Sequence, residues 1–234
     1  MMKPPSRRSN TTTTAATLSL ALCALLMSAC SSGPKAPDWQ LEAKGAMDRS
    51  VTAYLEGNAR IEAAELTRAR TQLSSTGRAD SMAGAELLHC AARVASLVFE
   101  PCAGFEALRI DATDVQRAYA DYLRGQITPT KIALLPASQQ AAAGRSADDG
   151  KPLQGIDDPL SLLVAAGVLL ETGRANPAIV TQAVDAASSQ GWRRPLLAWL
   201  SVQAQRATQA GQTAEAERLQ RRIKLVQNEN PQPK

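Results

Sequence analysis

Apolar residues recur at intervals of three and four along most of the chain, which is the spacing of amphipathic α-helices. In the first half this pattern predicts three helices, over about residues 39–56, 58–76 and 79–99. Gly57 and Gly77 are placed to end the first two, because glycine readily adopts the left-handed conformation that follows a helix. No segment of useful length alternates with period two, so the pattern predicts no β-sheet.

The middle of the chain has weaker signals. Thr113 and Gln116 have the spacing of a capping box, which predicts a helix running on to Gly125. A further helix candidate over 127–143 is interrupted by prolines. Residues 144–157 contain three glycines and a proline with few apolar side chains, so we expect a long exposed loop there.

The second half has the clearest helix boundaries. Asp158-Pro159 and Asn176-Pro177 each place a capping residue before a proline in the first helical turn. Pro195 is predicted to start the next helix and Thr213 to cap the last one. Gly173, Gly191 and Gly211 end the first three of these helices and are 18 and 20 residues apart, so successive helices are expected to form antiparallel hairpins.

This periodicity resembles that of tetratricopeptide-like arrays, in which one helical hairpin repeats about every 34 to 40 residues. The resemblance is strongest over Leu196–Val226, where Gly211 takes the turn and Ala204, Ala207 and Ala216 take the small, close-packing positions. Gln203 and Gln220 depart from the family pattern. The fold class predicted is all-α, with antiparallel helical hairpins stacked as a short tetratricopeptide-like array.

The N-terminal segment has the layout of a secretory signal, with three basic residues followed by an apolar run too short to span a bilayer. Met27-Ser28-Ala29-Cys30 resembles the bacterial lipobox, with Met27 in place of the usual leucine. The resemblance implies cleavage before Cys30 and lipidation of its sulfur. Ser31, rather than aspartate, implies the outer membrane facing the periplasm, with the inner membrane as the alternative. An ordinary secretory signal is the other interpretation, although Met27 fits its cleavage rule poorly.

Removal of the signal changes the charge and the cysteine inventory. Lys3, Arg7 and Arg8 leave with it, so the net charge falls from +4 to +1 and gives no indication of nucleic-acid binding. Of four cysteines, Cys23 is removed and Cys30 is lipidated. The remaining two, Cys90 and Cys102, are predicted to form a disulfide. A zinc site would need more ligands than the lone His89 can add, and redox pairs typically have closer spacing.

The predicted organisation is a signal peptide over residues 1–29, a tether over 30–37, an N-terminal helical subdomain over 38–143, the exposed loop over 144–157, a C-terminal helical-hairpin subdomain over 158–228 and a disordered tail over 229–234. The sequence leaves open whether the two subdomains form one continuous array.

Candidate chemistry is sparse. No nucleophile-elbow, phosphate-loop or metalloprotease motif is present, and His89 is interpreted as a structural residue. The carboxylate pairs Asp148-Asp149 and Asp157-Asp158 are explained by solubility and helix capping. We therefore expect no enzymatic activity, cofactor or metal.

One segment is a candidate partner surface. Trp192, Arg193 and Arg194 are of the residue types enriched at binding hot spots, whereas Trp199 is interpreted as a core residue. The hypothesis is a lipid-anchored scaffold or assembly factor that binds another envelope protein. The alternative is a lipoprotein that binds a small ligand or peptide.

Overall fold

The computed structural model describes residues 36–144, 151 and 153–228, and every regular element within them is helical. The signal, the lipobox and the C-terminal tail lie outside the described residues. The helices are α1 (Asp38–Glu56), α2 (Ala59–Ser74), α3 (Ala79–Ala95), the short α4 (Ala103–Glu106), α5 (Asp114–Leu123), a 3-10 helix (Pro129–Leu134), α6 (Ala137–Gly144), α7 (Pro159–Glu171), α8 (Pro177–Ser189), α9 (Arg193–Gln209) and α10 (Thr213–Asn228).

Consecutive helices pack against each other as hairpins, which confirms the predicted all-α fold class. Tight turns join α1 to α2, α2 to α3 and each pair from α7 to α10. Each of these turns contains a glycine with positive φ, such as Gly57 at +87° and Gly211 at +69°. A side chain at these positions would be strained, so the glycines set where each helix ends.

Four of the predicted capping residues act as expected, whereas Thr213 is the first residue of α10 itself, and the Ala216 N–H donates to the Gln212 carbonyl oxygen before it. Asn58, Asp158 and Asn176 each accept a hydrogen bond from a backbone N–H in the first helical turn. Thr113 and Gln116 form both bonds of a capping box. These contacts satisfy N–H groups that have no partner inside the helix.

Two boundaries differ from the sequence-based expectation. Helix α3 ends at Ala95 and does not reach Phe99, because Leu97 adopts a left-handed conformation with φ of 60° while packing on the core. Helix α9 begins at Arg193, two residues before the expected start at Pro195. Proline is tolerated there because the first-turn N–H groups have no intrahelical acceptor.

The disulfide between Cys90 and Cys102 is present, with the two Cα atoms 5.9 Å apart. Both cysteines are buried. The bridge requires the chain to reverse after α3, and the early end of that helix makes the reversal possible. The short helix α4 is thereby held beside α3.

The expectation of an exposed loop over 144–157 is wrong at its C-terminal end. Leu153 and Ile156 are both buried and belong to the main core. Their apolar side chains bury area that would otherwise face water. Residues 145–150 and 152 lie outside the described residues.

Helices from both predicted subdomains share this core. Its buried side chains come from α3 as well as from α7, α8, α9 and α10. A second buried cluster joins α1 and α2 to the other side of α3, through Ala85 and Ala92. The described residues from Asp38 onward accordingly form one compact unit.

Helix α3 makes an unusually close crossing with α7. A Cβ atom on Gly167 would lie 2.5 Å from the Val94 carbonyl oxygen. Nearby, the Trp199 indole N–H donates to the Ala95 carbonyl oxygen at 3.0 Å, which connects α9 to the end of α3. The buried end of α3 is therefore in contact with both α7 and α9.

Candidate functional site

An open groove runs between α1 and α3, which lie side by side in the same direction. It has a volume of about 420 Å³. The residues that line this groove, named here the α1–α3 groove, are Trp39, Gln40, Ala43, Lys44, Met47 and Asp48 of α1, Leu73 of α2, and Arg78, Ser81, Gly84, Ala85 and Leu88 of the α3 side.

Small side chains keep the groove open. Ala43, Gly84 and Ala85 are among the lining residues, and their side chains are the shortest in the groove. A Cβ atom added to Gly84 would meet only the Gln116 amide nitrogen, at 3.5 Å. No backbone atom of another element lies within 4 Å of that position, so a larger side chain at position 84 has room to extend toward the groove.

Larger apolar side chains form the walls. Met47 and Leu73 are buried, whereas Trp39 and Leu88 are only partly covered. Grooves with apolar walls are one of the recurrent receptors for the apolar face of an amphipathic helix.

The charges at the rim are already paired. The Lys44 ammonium lies 2.6 Å from an Asp48 carboxylate oxygen, one helical turn away. On the opposite rim Arg78 donates to Asp80 at 3.3 Å, and this bond holds the pKa of Asp80 below its ordinary value of 3.8. The rim is therefore polar with little net charge, so it favours neither anionic nor cationic occupants.

Among the described residues that line the groove, no pair of side chains is arranged for acid–base or nucleophilic chemistry. The only hydroxyl in this set belongs to Ser81, and the set includes no histidine or cysteine. Across the described residues, no group of three or more histidine, cysteine, aspartate or glutamate side chains is placed to hold a metal ion. The apolar and polar side chains that line the groove can make van der Waals contacts and hydrogen bonds with a bound molecule.

A second, charged cleft of about 250 Å³ lies beside the disulfide. Arg70 makes two hydrogen bonds to the buried carboxylate of Glu86, at 2.6 and 2.8 Å, and Arg93 pairs with Glu100. The bond to Glu86 raises the pKa of Arg70 above its ordinary value. Because each arginine in this cleft already faces a carboxylate, the cleft has no surplus charge to attract an ion.

His89 also lines this cleft and has internal partners. Its Nε2 atom lies 3.0 Å from a Glu62 carboxylate oxygen, and its ring meets the edge of Tyr54. The side chain joins α2 to α3 and is partly buried. The contacts match the structural role expected for the only histidine of the sequence.

Comparison with known protein families, curated proteins and solved structures finds no match to this chain. The tetratricopeptide-like character thus remains a resemblance of sequence period and hairpin packing. Within the described residues no helix is both long and apolar enough to cross a bilayer.

The segment predicted as a partner surface is only partly exposed. Trp192 packs between the two buried clusters, and Arg194 donates from Nε to the Tyr54 carbonyl oxygen at 2.7 Å. The Arg194 guanidinium also lies 4.3 Å from the centre of the Tyr54 ring, in cation–π contact. These two side chains join α9 to the end of α1, and a partner contact there stays a prediction.

Arg193 is also partly buried, and its Nε atom has no hydrogen-bond partner among the described residues. Trp199 is fully buried, which confirms its interpretation as a core residue. Among the predicted carboxylate pairs, Asp158 caps α7 and Asp148-Asp149 lie outside the described residues.

Sequence reasoning missed the α1–α3 groove. Most of its lining comes from two stretches of sequence about 40 residues apart, and the side chains that leave the groove open are small. The one available signal was the low bulk of Ser81, Gly84 and Ala85 on a single face of α3, but small residues also occur where helices cross closely.

Proposed function

We propose that the protein is a lipid-anchored, non-enzymatic component of the cell envelope that binds an amphipathic helix of another protein in the α1–α3 groove. The observation that carries the proposal is the open groove between two parallel helices, which is lined in part by small side chains. A protein that binds in this way would act as a scaffold or as an assembly factor.

The dimensions of the groove support a helical occupant. From Trp39 to Asp48 the α1 wall is about 14 Å long at 1.5 Å per residue. An occupant helix would therefore present two to three turns, with apolar side chains at three- and four-residue intervals against the floor. Its polar face would meet the paired charges of the rim and the solvent.

The anchor and the location are proposed on the sequence alone. Lipidation at Cys30 would place the domain at the periplasmic face of the outer membrane, and two or more acyl chains give stable attachment. The mass of the N-terminal peptide from the protein made in a bacterium tests this part. A mature chain starting at an unmodified residue would overturn it.

Site-specific photo-crosslinking tests the groove. A photoreactive amino acid at Ser81, on the groove, is expected to give a defined adduct in living cells, whereas one at exposed Ser188 on α8 gives none. Gly84→Leu fills the groove and should remove the adduct. Gly45→Leu is the matched control, because it makes the same change on the side of α1 away from the groove.

Thermal melts of both leucine variants establish that they fold. An adduct that persists in folded Gly84→Leu, or that is lost equally in Gly45→Leu, would overturn the groove proposal. The adduct itself also tests the occupant, because peptide mapping shows whether the crosslinked segment has helical apolar spacing.

Binding of a small ligand or free peptide is the second candidate. The groove volume of about 420 Å³ lies within the usual range for ligand sites. Native mass spectrometry of the purified protein would then show a bound small mass that Gly84→Leu lacks and Gly45→Leu retains.

A further inference from the structure

The last two helices have an excess of positive charge that the rest of the folded chain balances. Residues 193–228 contain seven arginine and lysine residues and two glutamates, which gives a net charge of +5. Residues 38–192 contain 14 basic and 19 acidic residues, which gives a net charge of −5. The two parts of the chain are therefore oppositely charged, although the net charge of both together is zero.

Part of the positive excess lies in a cleft on the outer side of α10. Arg221 and Lys224 line this cleft, which has a volume of about 370 Å³ and lies between α10 and the end of α9, and both side chains are exposed. Glu217 is the one carboxylate among the described residues that line it. That carboxylate is not within ion-pair distance of either cation, and neither cation pairs with another carboxylate of the described chain. The two positive charges are therefore available to an external partner.

An exposed leucine shares this face of α10. Arg221, Lys224 and Leu225 occupy helix positions i, i+3 and i+4, and Leu225 is 65% exposed. Leu219 and Ile223, which pack in the main core, lie on the opposite side of the helix. The first three residues are named here the basic α10 face.

Helix α1 has an outward face of the same design and of opposite charge. Asp38, Leu41 and Glu42 also occupy positions i, i+3 and i+4, both carboxylates are exposed, and Leu41 is 51% exposed. Neither carboxylate has an ion-pair partner among the described residues, whereas Asp48 of the same helix pairs with Lys44. These three residues, named here the acidic α1 face, do not line the α1–α3 groove.

We propose that a second copy of this chain docks head to tail, with the basic α10 face of one copy against the acidic α1 face of the next. Each contact would bring two positive charges to two negative charges and would cover one exposed leucine from each copy. The inference goes beyond the proposed function and depends neither on the lipid anchor nor on the groove.

Charge also determines the symmetry of the contact. Two copies that met through α10 alone, or through α1 alone, would place like charges against each other, which costs free energy. The head-to-tail arrangement avoids this repulsion and leaves one face of each terminal copy free. Such contacts produce chains, or rings where the rotation closes.

A second copy is the occupant that the two faces together favour. An anionic bilayer would meet the basic α10 face alone and would leave the acidic α1 face with its leucine uncovered. Three side chains from each copy form a contact much smaller than a standard interface of roughly 20 to 30 residues a side. We therefore expect association to be weak and to depend on protein concentration and on salt.

Thiol crosslinking between two purified variants tests the inference. One full-length protein, as processed by the cell, carries Glu42→Cys and the other carries Lys224→Cys, each with its own affinity tag. A short thiol-to-thiol crosslinker is expected to give an adduct that contains both tags. The matched control replaces Lys224→Cys with Ser188→Cys, at an exposed position on α8, and should give only the background of the wild-type pair.

Charge reversal distinguishes a specific contact from random collision. Arg221→Asp in the Lys224→Cys copy, or Asp38→Arg in the Glu42→Cys copy, should each cause loss of the adduct. With both reversals present the faces attract again, so the adduct should return. Because misfolded variants could not recover in this way, the double reversal also serves as the folding control. Added sodium chloride should lower the yield of the original pair.

Three outcomes would overturn the inference. They are an adduct no stronger than that of the Ser188→Cys control, an adduct that persists through both single reversals, and no adduct from a protein that instead binds phosphatidylglycerol vesicles through Arg221 and Lys224. The last would make an anionic bilayer the occupant of the basic α10 face. Loss of the groove adduct at Ser81 would overturn the proposed function alone, because Ser81 belongs to neither face.

Discussion

At the scale of single residues, the buried carboxylate of Glu86 is constrained from two sides. It lies on α3 with two hydrogen bonds from Arg70 of α2, and it packs directly against Gly104 of α4. A Cβ atom at position 104 would overlap the carboxylate. One ion pair and one glycine thus connect three helices beside the disulfide.

Removal of the arginine should leave this carboxylate without its partner. We expect Arg70→Leu to lower the free energy of unfolding by about 2 to 4 kcal/mol, somewhat less than for a fully buried pair because Arg70 is partly exposed. Urea denaturation measures the change. Adding Glu86→Gln should recover part of the loss, since an amide is less costly to bury than a charge; a double variant less stable than Arg70→Leu would contradict this account.

At the scale of helices, the crossing of α3 and α7 depends on Gly167. Because its Cβ position lies 2.5 Å from the Val94 carbonyl oxygen, the backbones would have to move apart to admit any side chain. This contact brings the two halves of the described chain together.

Gly167→Ala should therefore destabilise the protein by about 1 to 3 kcal/mol through overpacking, despite the higher helix propensity of alanine. Gly45→Ala in α1 is the control, because its Cβ would meet only the flexible end of Arg49, at 3.1 Å. We expect that variant to be as stable as the wild type or slightly more so. In thermal melts the midpoint temperature should fall for Gly167→Ala and should stay the same or rise for Gly45→Ala. An equal fall of the midpoint in both variants would contradict the explanation.

The helices and their caps could be predicted because their signals are local. Asn58, Thr113 and Asp158 act within one helical turn, and the glycine turns depend on the conformation of a single residue. The end of α3 could not be predicted, since Leu97 leaves the helix in order to pack on the core. The burial of Leu153 and Ile156 likewise depends on distant helices.

The candidate site was harder to predict for a related reason. A groove consists of space that side chains do not fill, and its shape depends on how α1 and α3 are placed by the rest of the fold. Small residues such as Gly84 and Gly167 look alike in the sequence. Gly84 is among the residues that line the open groove, whereas Gly167 lies at a close helix crossing.

At the scale of the molecule, α3 is shared by both buried clusters. One side of it packs on α1 and α2, and the other on the C-terminal helices. Arg194 adds a direct contact between α9 and α1, and Trp192 packs against the cluster that α1 and α2 form with α3. The two helical segments separated in sequence by residues 144–157 therefore share their apolar cores.

This sharing predicts one cooperative unfolding transition. Circular dichroism and tryptophan fluorescence should give coincident midpoints in urea, because α3 cannot unfold without exposing both clusters. Trp199→Phe, which removes the bond to the Ala95 carbonyl oxygen, should shift both probes together by about 1 to 3 kcal/mol. Two separate transitions would indicate that the segments unfold independently.

The positions of the three tryptophans have a practical consequence. Trp39 lines the groove, Trp192 lies between the clusters and Trp199 is fully buried. With Trp192→Phe, intrinsic fluorescence would contain one solvent-accessible emitter at the groove and one shielded emitter in the core. The protein thus carries its own optical reporter, in which groove occupancy and global unfolding change different parts of one spectrum.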